Sequence, residues 1–321
     1  MLKYLLRQIG TMIPTFFIVI TLSFLLIHLA PGDPVSRYSG QFTLTAEARQ
    51  AILSKYGLDQ PLPIQYLRYL QALAQGDLGK SLLSGRPVID MIGERLPATL
   101  LLSLSSSIIA FLGGNFLAVL TARRRRLDTG VSLGGYVLYS MPTFWLGIIL
   151  IIVFATGLNW FPTSGYMNSR EEYEGFRHTL DVLQHLVLPC ATLVLVELPG
   201  FYRIARASIA DVRQENFVTT LRAAGLPTGT IFRRYALKNA LLPSVTLFGL
   251  SLGYALAGAA LVEIVFAWPG IGRLTLDSVF KRDYPVLMGI YLIIGISVML
   301  AILLTDIVYA FIDPRIRYQQ S

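Results

Sequence analysis

Cysteine, histidine and charge are all scarce in this chain, and each scarcity removes a class of function. The single cysteine, Cys190, excludes an internal disulfide and a cysteine-based metal cluster. The three histidines, His28, His178 and His185, are scattered and do not assemble a metal-ligand spacing. Charged residues make up 14% of the 321, against about 25% in soluble domains. There is no H-E-x-x-H segment, so nothing supports a membrane zinc protease. The nearest approach to a phosphate-binding loop is AQGDLGKS at 74–81. It has Ala74 where the first glycine of G-x-x-x-x-G-K-[ST] belongs and is read as a chance match. No low-complexity tract and no internal repeat stands out.

What the chain has instead is apolar length. Hydrophobic residues reach 54% and the mean hydropathy is +0.59. Several runs approach the ~20 residues a helix needs to cross a bilayer. A β-barrel would alternate in short segments. The expected fold is an all-α polytopic membrane protein with six spans. They run at about Ile9–Leu29, Ala98–Ala122, Val131–Thr156, Val182–Ile204, Ala240–Ala267 and Tyr284–Phe311. The first is too long for a signal-peptide core and reads as a retained anchor.

Basic residues orient these spans. With both termini in the cytoplasm, the inner segments hold 15 bases, including Arg123–Arg126, against 4 acids. The outer segments are balanced. The formal charge of +8 is thus the positive-inside bias, and nucleic acid is not an expected partner. Arg123–Arg126 reads as an anchor beside anionic lipid. The first outer loop, about 31–96, is expected to fold as a small helical cap. One helix is capped by Thr45 and ended by Gly57, a second follows Pro63, and a third starts near Pro87 and leads into span two.

The segment 207–238 is long, polar and cytoplasmic on this reading. Apolar positions recur at helical spacing from Asp211 through Val218 and Leu221. Gly225-Leu226-Pro227 then forces a turn, and a second basic helix returns to the bilayer. Such a segment could lie on lipid, but Glu215 and the small pair Ala223-Ala224 suit close protein packing better.

NFVTTLRAAGL (216–226) followed by YALKNALLP (235–243) resembles the signature of permeases of binding-protein-dependent ABC importers, in particular the peptide/nickel class. The likeness continues in order along the chain. It takes in LAPGDPV (29–35), YGLDQPLPIQYLRYL (56–70), GDLGKS (76–81), ERLPATL (94–100), SMPTFWLG (140–147) and HLVLPCATL (185–193). LVEIVFAWPGIGRL (261–274), RDYPVLMG (282–289) and DPRIRY (313–318) complete it. Leu221 and Ala224 replace the alanine and lysine usual there, Tyr235 a histidine, and Ile302 an asparagine. The resemblance implies a type I importer permease fold. It also implies a heterodimer with a second, homologous permease, two cytoplasmic ATPase subunits carrying ATP and magnesium, and an extracytoplasmic solute-binding protein. The chain itself would hold no cofactor and no metal and perform no bond chemistry. The setting would be a bacterial or archaeal plasma membrane. The organisation would be 1–30 (tail and first helix), 31–96 (cap), 97–312 (permease core) and 313–321 (tail). The ATPase-coupling residues would be Glu215, Val218, Leu221, Arg222, Ala223, Ala224, Gly225 and Leu226. A stand-alone secondary transporter or channel is the competing reading, since three carboxylates lie within spans.

Those carboxylates are Glu197, Glu263 and Asp306. Ionisable groups in a bilayer usually face a bundle interior or a watery path. Glu263 and Asp306 stand where the resembled family carries acids. Glu197 does not; it either hydrogen-bonds a neighbouring helix or faces an amine-bearing substrate. Asn115, Glu197 and Glu263 are the candidate pathway residues. Gly249, Gly253 and Gly258 read as helix-packing positions.

Overall fold

Prolines and glycines divide the chain into helices. The computed structural model describes residues 2–29, 47, 50, 54, 59–168, 173–255 and 259–312, with side chains described for 10–25, 47, 50, 54, 59–168, 173–255 and 259–305. Of the helix expected between Thr45 and Gly57 only residues 47, 50 and 54 are among them, each helical; the tail 313–321, Gly258, and the side chains of His28 and Asp306 lie outside.

Helix α1 is Leu2–Leu29, α2 Leu62–Ala74, and α3 Val88–Thr121. Pro87 caps α3, and Pro97 lies inside it, so the lead-in helix and the second expected span are one element. Helix α4 is Arg125–Ser140; α5 is Thr143–Leu150 and runs into a π-helical turn, Ile151–Gly157. Helix α6 is Phe176–Val212 and α7 is Asn216–Ala223. Thr228–Thr230, Ile231–Ala236 and Leu237–Ala240 follow one another without a break as α8. Then come α9 (Leu242–Tyr254), α10 (Ala260–Val265), α11 (Ile271–Lys281) and α12 (Tyr284–Ile312). Among the described residues no strand forms beyond one isolated bridge, Lys80 to Pro87.

Among the described residues, three helices are long and apolar enough to cross a membrane: α3, α6 and the described part of α12. The third expected span is not a single rod. It bends by 103° between α4 and α5. The cause is local: proline disfavours helix in the residue before it, and Met141 is extended at φ −80°, ψ 134° ahead of Pro142. The fifth expected span is also broken, into α9 and α10, with Ala259 out of helical geometry at φ −100°, ψ 69°.

Helices α3 and α6 form the central pair. Their backbones meet at Gly114, where a Cβ would lie 2.7 Å from the Cβ of Phe201 and 2.9 Å from the Leu198 carbonyl oxygen. A small residue is what lets two membrane helices approach this closely. Helix α9 packs on α12 in the same way. A Cβ at Gly253 would meet Ala301 at 3.2 Å, and one at Gly249 would collide with Thr305. One core cluster joins Leu102, Leu186, Leu193, Val262, Phe266 and Trp268 from α3, α6, α10 and the turn after it. A second joins Val88, Ile92, Ile271, Leu274, Val286 and Ile290, packing α11 and α12 against the start of α3. A third, at the other end of the bundle, joins Ala118, Tyr202, Ala205, Ile209 and Ala240.

The described part of the cap is tied to α1 and α12. Tyr66 and Thr21 share a hydroxyl hydrogen bond at 2.6 Å, and the Phe24 ring stacks on Tyr69 with centroids 5.9 Å apart. Burial, with Tyr66 adding to it, pushes the Tyr69 hydroxyl pKa up to about 12. Ser81, which a phosphate loop would turn towards a metal, is instead buried. Its hydroxyl donates to Asp283 at 2.5 Å, and the Leu82 amide donates to the same carboxylate at 3.0 Å.

Candidate functional site

The turn that ends α7 is built by its own sequence. Helix α6 stops at Val212, and Glu215 (φ −62°, ψ 144°) interrupts the helix expected to continue from Asp211 through Leu221. The Arg213 guanidinium, at the C-cap of α6, donates to the Ala122 carbonyl at 2.7 Å. That carbonyl sits at the C-cap of α3, where acceptors lack intrahelical donors. Helix α7 then ends in a double closure. The Gly225 amide donates to Arg222 at 3.0 Å, and the Leu226 amide donates to Leu221 at 3.2 Å. This is the pairing of a Schellman motif, which needs a left-handed residue and favours an apolar partner for the apolar residue after it. Gly225 supplies the first at φ +82°. Leu221 and Leu226 occupy the two apolar positions, which gives the bulky Leu221 a local reason. Val218 is buried, whereas Arg222, Ala223, Ala224 and Gly225 are exposed. The eight coupling candidates thus form one continuous turn, with a face of small residues and one guanidinium turned outwards.

A side-chain clamp connects this turn region to the long helices. The ring of Phe232, on α8, has the Arg213 guanidinium 5.2 Å and the Arg123 guanidinium 5.9 Å from its centroid. Guanidinium groups are attracted to the negative face of an aromatic ring. Burial first, and Arg123 second, pull the Arg213 pKa below its ordinary value. The clamp joins the ends of α3, α6 and α8. Nearby, Asp128 of α4 pairs with Arg206 and accepts the Tyr202 hydroxyl at 2.7 Å. The run Arg123–Arg126 suggested lipid alone, and no sequence spacing signalled the Phe232 contact.

The candidate pathway residues separate. Glu197 lines a cavity of about 520 Å³ between α3, α4, α6 and α9. Its Oε2 accepts the Ser107 hydroxyl at 3.0 Å. Arg203, six residues further along α6, lines the same cavity. Glu263 lies elsewhere and is fully buried. Its carboxylate accepts Thr99 Oγ1 at 3.2 Å and the Arg273 amide at 2.7 Å. Thr99 Oγ1 in turn accepts the Ile271 amide at 2.7 Å, and Trp268 Nε1 donates to Ala98 O at 2.9 Å. A Cβ at Gly270 would overlap the Glu263 carboxylate. The EIVFAWPGIGR segment is therefore a polar knot tying α10 and α11 to α3. Asn115 is buried on α3; its amide nitrogen donates to Phe111 O at 2.7 Å, and its Oδ1 finds no partner among the described residues.

The family described as "Binding-protein-dependent transport system inner membrane component" matches residues 114–318, and its N-terminal counterpart matches residues 1–104. The oligopeptide transport system permease protein AppB of Bacillus subtilis (strain 168) is 38% identical, covering 99% of this chain and all of its own length. The dipeptide transport system permease protein DppB of Escherichia coli (strain K12) is 36% identical, with both chains fully covered. The glutathione transport system permease protein GsiC of Escherichia coli O6:H1 is 38% identical over 99% of this chain and all of GsiC. Among solved structures, an inward-facing MetNI methionine ABC transporter chain matches the fold with TM-score 0.53. It is 16% identical and is aligned over 70% of this chain and 97% of its own. By sequence over its whole length, this chain belongs to the family of binding-protein-dependent transport system inner membrane components.

Proposed function

We propose that this chain is one permease subunit of an ATP-driven, binding-protein-dependent importer for di- and oligopeptides and related small solutes such as glutathione. The observation that carries this reading is the exposed α7 turn. A Schellman-closed helix that ends in the small residues Ala223, Ala224 and Gly225, beside the Phe232 clamp that joins the ends of α3 and α6, is suited to docking on a motor and transmitting its movement. The names of the full-length relatives support the peptide class. On this reading six spans cross a bacterial or archaeal plasma membrane with both termini inside. A second, homologous permease completes the pathway, two ATPase subunits carry ATP and magnesium, and an external solute-binding protein delivers substrate. ATP closes the ATPase pair and the segment 207–238 passes that motion to the helices. ATP shifts the cavity between inward- and outward-facing states only through its different affinity for the two.

The test is reconstitution. The chain should co-purify with a second permease and with ATPases. Uptake of dialanine into proteoliposomes should require ATP and the binding protein. Uptake by this chain alone, without ATPases, would instead establish the stand-alone carrier.

A further inference from the structure

We infer that the cavity between α3, α6 and α9 is a recognition site for short zwitterions. Glu197 would take the ammonium end and Arg203 the carboxylate end of a two- or three-residue peptide. This rests on the importer reading and adds a substrate determinant to it. Two opposite charges project from one helix into one cavity, yet they do not form an ion pair. Ser107 holds the Glu197 carboxylate from α3 at 3.0 Å. The Tyr139 ring holds the Arg203 guanidinium from α4, 5.7 Å from its centroid. Neither anchor neutralises its charge. Glu197 is half-buried, where a charge is costly unless something satisfies it; Arg203 is exposed.

The spacing selects the ligand. Six residues of helix rise about 9 Å, which is the axial offset between Glu197 and Arg203. Peptide residues extend about 3.3–3.6 Å each, so two or three residues span roughly 7–11 Å. The volume of about 520 Å³ falls within the usual range for small-molecule sites, roughly 300–1,000 Å³. Ser103, Ser251 and Tyr254 also line the cavity, supplying hydroxyls beside the backbone of a bound peptide. A solute with only one charge would leave either Glu197 or Arg203 without a counter-charge.

The test uses the purified nucleotide-free assembly of both permeases and ATPases, without the binding protein. Dialanine, N-acetyl-dialanine and dialanine amide are titrated calorimetrically. Dialanine should bind about tenfold more tightly than either blocked peptide, the scale of one lost charge-assisted hydrogen bond. Glu197→Gln should weaken dialanine about tenfold and leave N-acetyl-dialanine unchanged. Arg203→Gln should weaken dialanine and leave the amide unchanged. Equal affinity for all three peptides in the wild type overturns the inference, whether or not the variants assemble. So does an equal loss for free and blocked peptides in the variants, or no binding at all. ATP-dependent dialanine uptake by the wild type separates the two readings. If uptake persists while the titrations fail, only this inference falls; if uptake is absent, the peptide-importer reading falls as well.

Discussion

Gly225 offers the sharpest test of the coupling turn, because its cost can be worked from the backbone alone. It is exposed at φ +82°, and a Cβ built there would meet nothing within 4 Å. Steric conflict inside the chain therefore contributes nothing to a substitution. What remains is the left-handed backbone, which costs an ordinary L-residue about 1–2 kcal/mol. A penalty of that size changes the population of the turn by a factor of roughly 5–30. Helix α7 has only 8 residues, too few for stability on its own, so it has little reserve against that penalty. Asparagine tolerates left-handed geometry better than other residues, alanine less well, and β-branched valine least. Substrate-stimulated ATP hydrolysis in proteoliposomes, and ATPase recovery on a tagged permease, should fall in the order Gly225→Asn, Gly225→Ala, Gly225→Val. Wild-type coupling by Gly225→Val would remove the turn from the mechanism. An equally deep loss in all three variants would refute the backbone argument and point to a partner surface packed against the glycine itself.

Three further outcomes follow from the structure. Cysteines placed at exposed Ser84 and Thr228 should label from opposite sides of the membrane, Ser84 from outside, with the lone native Cys190 silent because it is buried; the reverse pattern overturns the orientation. Gly270→Ala should displace the Glu263 carboxylate and strip acceptors from Thr99 and the Arg273 amide. At about 1–3 kcal/mol for each unsatisfied group, the expected result is a clearly lowered thermal midpoint of the purified assembly, and an unchanged midpoint would refute the knot. Phe232→Leu keeps an apolar side chain but removes both guanidinium contacts, each worth about 0.5–1 kcal/mol at an exposed site; ATPase subunits should stay bound while substrate stimulation falls, and unaltered stimulation would exclude the clamp from force transfer.

Sequence by itself determined the class and most of the elements. Apolar length, scarce charge and the order of the motifs led to a helical permease. Pro87 and Gly225 marked a helix start and the turn, while the helix expected to follow Pro63 begins one residue before it, at Leu62; the φ restriction of proline and the freedom of glycine are local properties. Tertiary structure decided what depends on distant segments meeting. Proline 142 was visible, but the direction and size of the bend it permits depend on α10 and α6 packing against α5. Glu197 and Glu263 looked alike as intramembrane acids. One lines a cavity with Arg203, and the other closes a knot with Thr99, 164 positions away in the chain. Phe232 acquired two guanidinium partners from segments 19 and 109 residues earlier. Hydrophobic period reports which face of a helix is buried; it carries no information on which polar group from another helix will lie opposite.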